Sequence, residues 1–205
     1  MSPLLLIGGG GHCRSCIDVI EKTGRFQIAG IVDFNETTDA ARLGYPWLGS
    51  DDALPTLLKQ YRSVLITVGQ VKSPDIRIAL FEKLSALGAE FPVIVSPLAH
   101  VSKHAVVKAG TVVMHGAIIN ATASVGENCI INSQSLVEHD ACVAAHCHLS
   151  TGARLNGDVH VDAGSFIGSG AVVHHGVRIA RRCIVGAGAV VAKNLTEGTT
   201  FRGTR

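Results

Sequence analysis

The chain has 205 residues, 47% of them hydrophobic and 17% charged, with a formal net charge of +2. That length allows one or two domains with a sizeable core, and the near-neutral balance gives no ground for general nucleic-acid binding. No apolar run is long enough to span a bilayer, and the opening MSPLLLIGGGG lacks the basic stretch of a secretory leader, so a cytoplasmic protein without membrane attachment is expected.

Pro3 to Ile7 is a short apolar run, expected as a buried strand, and Gly8 to Gly11 and His12 follow it. The spacing of Cys13, Cys16, Ile17 and Ile20 is helical, with Gly24 as a stop. Gln27 to Val32 reads as a second strand closed by Asp33. Strand, glycine turn, helix and strand make the opening of a nucleotide-binding βαβ unit. The glycines let backbone approach a phosphate, and the helix N-terminus offers N–H groups and a positive dipole end. Asp33 is placed to accept hydrogen bonds from a ribose or base. The order G-G-G-G-H is not the G-x-G-x-x-G of dinucleotide binders, which argues against a nicotinamide oxidoreductase; an anion-binding turn and a purely structural turn both remain open.

Thr37 to Trp47 reads as irregular, Asp51 to Tyr61 as a helix capped by Asp51 or Asp52, and Ser63 to Val68 as a third strand ending at Gly69. Pro74 to Leu87 is predicted helical, opened by Ser73 and Pro74 and stopped by Gly88, and Phe91 to Val95 as a fourth strand. Residues 1–97 are thus expected to form a Rossmann-like α/β domain with a parallel sheet. The carboxyl ends of its strands, Gly8–His12, Asp33–Phe34 and Gly69–Gln70, should line one crevice.

From Val101 to Leu195 the pattern changes. Every sixth residue from Val101 to Val191 is aliphatic, and four places on in each unit, from Ala105 to Leu195, the residue is almost always small. A period of six fits neither an α-helix nor a plain strand. It fits the hexapeptide repeat of a parallel β-helix, in which three short strands make an eighteen-residue coil of triangular section. Coils stack at about 4.8 Å, so residues eighteen apart lie one above another. Residues 98–205 are assigned to this domain, with the tail after Leu195 breaking the repeat and either capping the last coil or hanging free. Cys129, Cys147 and Cys183 fall on the inward small position and read as packed thiols of a reducing compartment. Cys13 and Cys16 form a lone C-x-x-C, read as a thiol pair on one helix face rather than a redox centre.

No histidine occupies an aliphatic position, so the nine in or beside the repeat are expected to face outward or sit at corners. His139 stands apart, because Glu138 and Asp140 flank it. A carboxylate on one ring nitrogen fixes the tautomer and makes the other nitrogen a better base; a merely charged surface corner is the alternative. Some β-helix carbonic anhydrases bind zinc through histidines two coils apart and a third five residues on. His139 and His175 have the first spacing, but the third position is Ala180, so no metal is expected.

The glycine-turn domain, the hexapeptide column and the segment Val137-Glu138-His139-Asp140-Ala141 preceded by Asn132 together resemble the bacterial sugar acetyltransferases typified by the bacillosamine-pathway enzyme. The sialic acid O-acetyltransferases are similar. The resemblance covers essentially the whole chain. It implies a left-handed β-helix and a homotrimer with CoA held between neighbouring subunits. It also implies direct acetyl transfer from acetyl-CoA to an amine or hydroxyl of a sugar, often nucleotide-linked, such as a UDP-sugar of surface-polysaccharide biosynthesis. His139 matches the family's base and Asp140 the acid that follows it, usually Glu. Gly10, Gly11, His12, Asp33, Phe34 and Gly69 match the sugar-nucleotide contacts; His148, Ser169 and Ala187 match the CoA contacts. Family members usually close with G-x-P-A and a basic residue, where this chain reads Phe201-Arg202-Gly203. Amine and hydroxyl acceptors, and a non-catalytic nucleotide-sugar-binding scaffold, stay open on the sequence.

Overall fold

The structure, a computed structural model, describes residues 1–36 and 38–203. Thr37, at the head of the irregular stretch, and Thr204 and Arg205, at the end of the tail, lie outside the described residues. The chain forms two compact units: Met1–Gly69 with Asp75–Ile94, and Gln70–Pro74 with Val95–Arg205. Among the described residues no helix is long and apolar enough to cross a membrane.

The first unit is a three-stranded parallel sheet, β1 (Ser2–Ile7), β2 (Phe26–Val32) and β3 (Val64–Ile66), in the order β2-β1-β3. Three helices accompany it: α1 (Gly11–Thr23), α2 (Leu54–Gln60) and α3 (Asp75–Ala86). Leu4 to Ile7 are all buried, as a parallel sheet covered on both faces requires. α1 turns Cys13, Cys16, Ile17 and Ile20 inward and ends at Gly24 in the left-handed conformation, where glycine carries no Cβ penalty.

The stretch from Asp51 opens as a 3₁₀ turn, Asp51–Ala53, and becomes α-helical only at Leu54. Neither aspartate caps it by side chain; Asp51 instead accepts from Lys83 Nζ at 3.1 Å. The fourth strand does not join the first sheet. Glu90 makes only an isolated bridge to Ser63, and Ile94–Val95 is the first strand of the β-helix.

The second unit is a parallel β-helix of the left-handed class. Its strands are two residues long and fall into three sheets of seven, six and five strands, which form three faces. Neighbouring strands pair parallel in an eighteen-residue register: on the first face Val113, Ile131, Leu149, Ile167 and Val185 stack inward. Each such aliphatic is fully buried, a gain of roughly 1.5–3 kcal/mol per side chain. The repeat starts one unit earlier than the sequence suggested. Val95 and Ala99 hold the large and small inward phases and pack on the core, a unit masked by Pro97.

The small position at one corner explains three cysteines. Thr111, Cys129, Cys147, Ser165 and Cys183 stack there, and each side chain donates across its own coil to a carbonyl, at Gly126, Ala144, Asp162, Ala180 and Thr196. The first four bonds span fifteen residues and the last thirteen. The final coil is therefore two residues short: Leu195 bridges to Ile179, and Phe201 pairs with Val185. Through Gly203 the tail does not hang free; Thr200–Phe201 is a strand, with Leu195 and Phe201 packed on the core. All six cysteines are free thiols. Burial pushes Cys147 and Cys183 up, and Cys13 up to about 11, so none of these is a ready thiolate at neutral pH.

Candidate active site

In the first unit the turns at the carboxyl ends of the three strands are tied together. Gly8 has φ +105°, and a methyl group on it would stand 2.5 Å from Val68 Cγ2, so only glycine serves there. Its carbonyl accepts from Thr67 Oγ1 at 2.6 Å. Asp33 holds the next residue: Oδ2 accepts from the Gly9 N–H at 2.7 Å, and Oδ1 from the Phe34 N–H at 2.7 Å. The aspartate expected to meet a ribose thus also braces the glycine turn, with each oxygen already receiving one backbone donor. Gly10, the N-cap of α1, has no atom within 4 Å of where a Cβ would be, and a Cβ at Gly69 would lie 3.6 Å from His12 Cβ. His12 Nε2 lies 3.4 Å from Cys16 Sγ. Phe34 is 83% exposed. Beneath the third turn, buried Arg77 donates from Nη1 to the carbonyls of Ile66 and Val68, at 2.8 and 2.7 Å. The long separation of Arg77 from the motif residues kept this support out of the sequence reading.

In the second unit His139 sits at a coil corner between the second and third faces, where Asp140 takes φ +62°. The corner points both side chains outward: His139 is 58% and Asp140 57% exposed. His139 Nδ1 lies 2.8 Å from Asp140 Oδ2. Because the carboxylate can only accept, Nδ1 carries the proton and Nε2 presents a lone pair. Glu138 Oε2 accepts from the His139 N–H at 3.1 Å and from Asn120 Nδ2 at 2.9 Å. The bond to Asp140, with the charges of Asp140, Glu138 and Asp158, holds the His139 imidazolium above its ordinary range. Asp140 moves the opposite way, through hydrogen bonds from Thr122 and His139.

Gly157, one coil on from His139, creates the space above the ring. A methyl group there would stand 2.6 Å from His139 Cε1, 2.7 Å from Nε2 and 3.2 Å from His175 Nδ1. The imidazole therefore occupies the space a Cβ would take at Gly157, with Cε1 and Nε2 against that position and His175 Nδ1 beside it.

The three residues matched to CoA contacts fall in different settings. Ser169 and Ala187 are exposed and occupy adjacent coils at the corner between the first and second faces; the Ser169 carbonyl accepts from Gly188, and Ser169 Oγ lies 2.9 Å from Ser150 Oγ. His148 meets the expectation that the repeat's histidines face outward, but it is covered. It faces outward from its coil yet is only 6% exposed. The 70–74 segment covers it: Nδ1 donates to the Gln70 carbonyl, Nε2 lies 3.2 Å from Asn132 Nδ2, and the ring meets Phe166 edge-on at 5.2 Å. Gln70 in turn donates from Nε2 to the His146 carbonyl at 3.0 Å. Among the described residues no three His, Cys, Asp or Glu side chains are grouped to hold a metal ion.

Comparison with known proteins agrees with this architecture. Residues 3–84 match the PglD N-terminal domain, and residues 158–193 match the bacterial transferase hexapeptide (six repeats). No curated protein sequence matches the chain. Perosamine N-acetyltransferase from Caulobacter crescentus, solved with CoA and GDP-perosamine in a variant with one histidine replaced by asparagine, is 35% identical over 96% of this chain and 91% of that one, with a TM-score of 0.90. The acetyltransferase domain of PglB from Neisseria gonorrhoeae, solved with acetyl coenzyme A, is 30% identical over 96% and 93%, with a TM-score of 0.86. WeeI from Acinetobacter baumannii, 20% identical with a TM-score of 0.80, shares the fold. An α/β unit followed by a hexapeptide β-helix is the architecture of an acyltransferase. The chain belongs to the family of hexapeptide-repeat sugar acetyltransferases that carry a PglD-type N-terminal domain.

Proposed function

We propose that the protein transfers acetyl from acetyl-CoA to the amine of a nucleotide-linked amino sugar, with His139 as general base. The observation that carries this reading is the His139–Asp140 pair: Nδ1 is held at 2.8 Å by the carboxylate, and Nε2 is turned into the Gly157 notch. Neutral Nε2 takes the proton from the sugar nitrogen as that nitrogen attacks the thioester carbonyl. The C–S bond then breaks, CoA leaves as the thiol or thiolate, and the product is an amide. Asp140 stabilises the imidazolium formed on the way. The Caulobacter relative, named an N-acetyltransferase and holding CoA and GDP-perosamine, supports an amine acceptor and a nucleotide-sugar.

Gly10, Gly11, His12, Asp33, Phe34 and Gly69 are proposed to receive the nucleotide-sugar. The exposed corner of Ser169 and Ala187 is proposed to receive CoA, with His148 acting indirectly by holding the 70–74 segment. Assembly as a homotrimer is supported by the exposed apolar side chains of the second face, where Ile118 is 39% and Val190 53% exposed beside His100 and Arg154; cyclic closure would cover them. A cytoplasmic role in surface-glycan sugar biosynthesis completes the reading, and the six free thiols support that compartment.

The test is to offer acetyl-CoA with a panel of UDP- and GDP-amino sugars and sialic acids and weigh the products. A mass gain of one acetyl on an amino sugar is expected, and it is lost in His139→Ala. A gain only on sialic acid hydroxyls would move the reading to O-acetylation. Failure of acetyl-CoA to raise the melting temperature would favour a non-catalytic scaffold, because a ligand that binds only the native state must stabilise it.

A further inference from the structure

Thr122 has a backbone that its side chain disfavours. It takes φ +64° at a coil corner, and among the described residues it is the only β-branched one with positive φ. The corresponding position on other coils is usually Gly, Asn or Asp, the residues for which that region is least unfavourable. A β-branched residue there is an outlier, and strain of this kind persists where the surroundings hold it.

The hydrogen bonds show what the side chain does. Thr122 lies one coil below Asp140, and the two make a reciprocal pair. The hydroxyl lies 2.6 Å from Asp140 Oδ1 and equally against the Ala121 carbonyl, so its one proton is shared between these two acceptors, and its oxygen accepts from the Asp140 N–H at 3.2 Å. The other carboxylate oxygen, Oδ2, receives His139 Nδ1 at 2.8 Å. Both oxygens are thus engaged, one by the residue below and one by the imidazole, and the carboxylate plane is fixed. Asn120 does the same for Glu138 on the other side of His139, at 2.9 Å. A glycine at 122 would relieve the backbone and leave Asp140 free to turn about its side-chain bonds.

We propose that Thr122 is a positioning residue: its hydroxyl aims the Asp140 carboxylate, which in turn orients and charges the His139 ring. The inference rests on the reading of His139 as base. Its chemistry is that of a charge-assisted hydrogen bond passed on one residue further, and Thr122 need not touch either substrate.

The test compares Thr122→Val, Thr122→Ser and Thr122→Gly on the full chain, with the turnover–pH profile and the His139 titration by NMR, assigned with His139→Asn. Thr122→Val keeps the shape and removes the hydroxyl; we expect turnover to fall about tenfold, the low end for a hydrogen bond to a charged group. The acid limb and the His139 titration should both move to lower pH. Thr122→Ser should restore the rate and the titration. Thr122→Gly should melt no lower than the parent while losing the rate, a combination that a merely structural role does not give. A Val variant with the parent's rate and titration, or a Ser variant as impaired as Val, overturns the proposal. If His139→Ala retains turnover, the base assignment fails; the titration then still reports whether Thr122 governs the imidazole.

Discussion

The β-helix carries two acid–histidine pairs on consecutive coils, and they are not equivalent. In the first, Asp140 follows His139 and holds Nδ1 at 2.8 Å. In the second, Asp158 precedes His160 and holds Nε2 at 3.2 Å. The column above His139 is vacated by Gly157. His160, by contrast, lies on a strand, paired between Cys142 below and Arg178 above. The residue types are the same, but the nitrogen engaged and the neighbour overhead differ. If His139 is the base, as proposed, an acid near an imidazole is not enough to make one. On that reading the carboxylate must also engage Nδ1, leaving Nε2 to the side-chain-free position of Gly157.

That contrast sets the order of expected effects. His139→Ala should lower turnover by roughly 10²–10⁴-fold, the range for a lost general base, measured with acetyl-CoA and the accepted sugar at saturation. Gly157→Ala should cost about 10²-fold, because the added methyl displaces the ring from its notch and small misplacements of a reacting group are expensive; a steady-state assay beside an unchanged melting curve would show it. Asp140→Asn should reduce the plateau rate by about tenfold and shift its pH dependence. His139 must be neutral to accept a proton, and Asp140 holds its pKa above the ordinary 6.5. Activity should therefore rise with pH through a midpoint above that value in the parent, and through a lower one in the variant. At the small end, His160→Ala should leave turnover within about twofold, as surface substitutions usually do; a larger loss would erase the distinction between the pairs.

Stability follows the same pair with opposite signs. The His139 pKa is raised on folding, so its contribution is present below the unfolded value and lost as pH rises through the folded one. The Asp140 pKa is lowered, so its contribution is present above the unfolded value and lost as pH falls through the folded one. The pair is most stabilising between the two, in the mildly acidic range, while activity grows on the alkaline side.

The hexapeptide column was legible because its phase is local: each six-residue unit repeats the same inward demand, and no partner need be known. The acids beside His139 were legible for the same reason. The features that no local pattern carries depend on other parts of the chain. Val95 belonged to the column, but Pro97 in the next turn read as a boundary. Phe91 to Val95 looked like one more strand for the first sheet, yet its last two residues pair instead with a strand eighteen residues on. His148 has the spacing of an exposed residue; the segment bonded to it through Gln70, 78 positions away, helps bury it. Asp33 was placed correctly at its strand end, but its grip on Gly9 needs the β1–β2 pairing to be seen. Thr122 and Asp140, eighteen apart, could have been paired from the coil length alone, though nothing in the sequence marks the φ of Thr122.

The two-residue shortening of the last coil bears on how the chain finds a single native alignment. Because the six-residue units are alike on the inside, a pairing slipped by one unit would keep the inward phase but carry His139 away from the Thr122 and Gly157 that frame it. With Leu195 set against Ile179, and Phe201 against Val185, the terminal turn differs in length from every turn below it. It acts as a zero mark for counting turns, so a chain with those two residues restored would be expected to refold into a mixture of alignments.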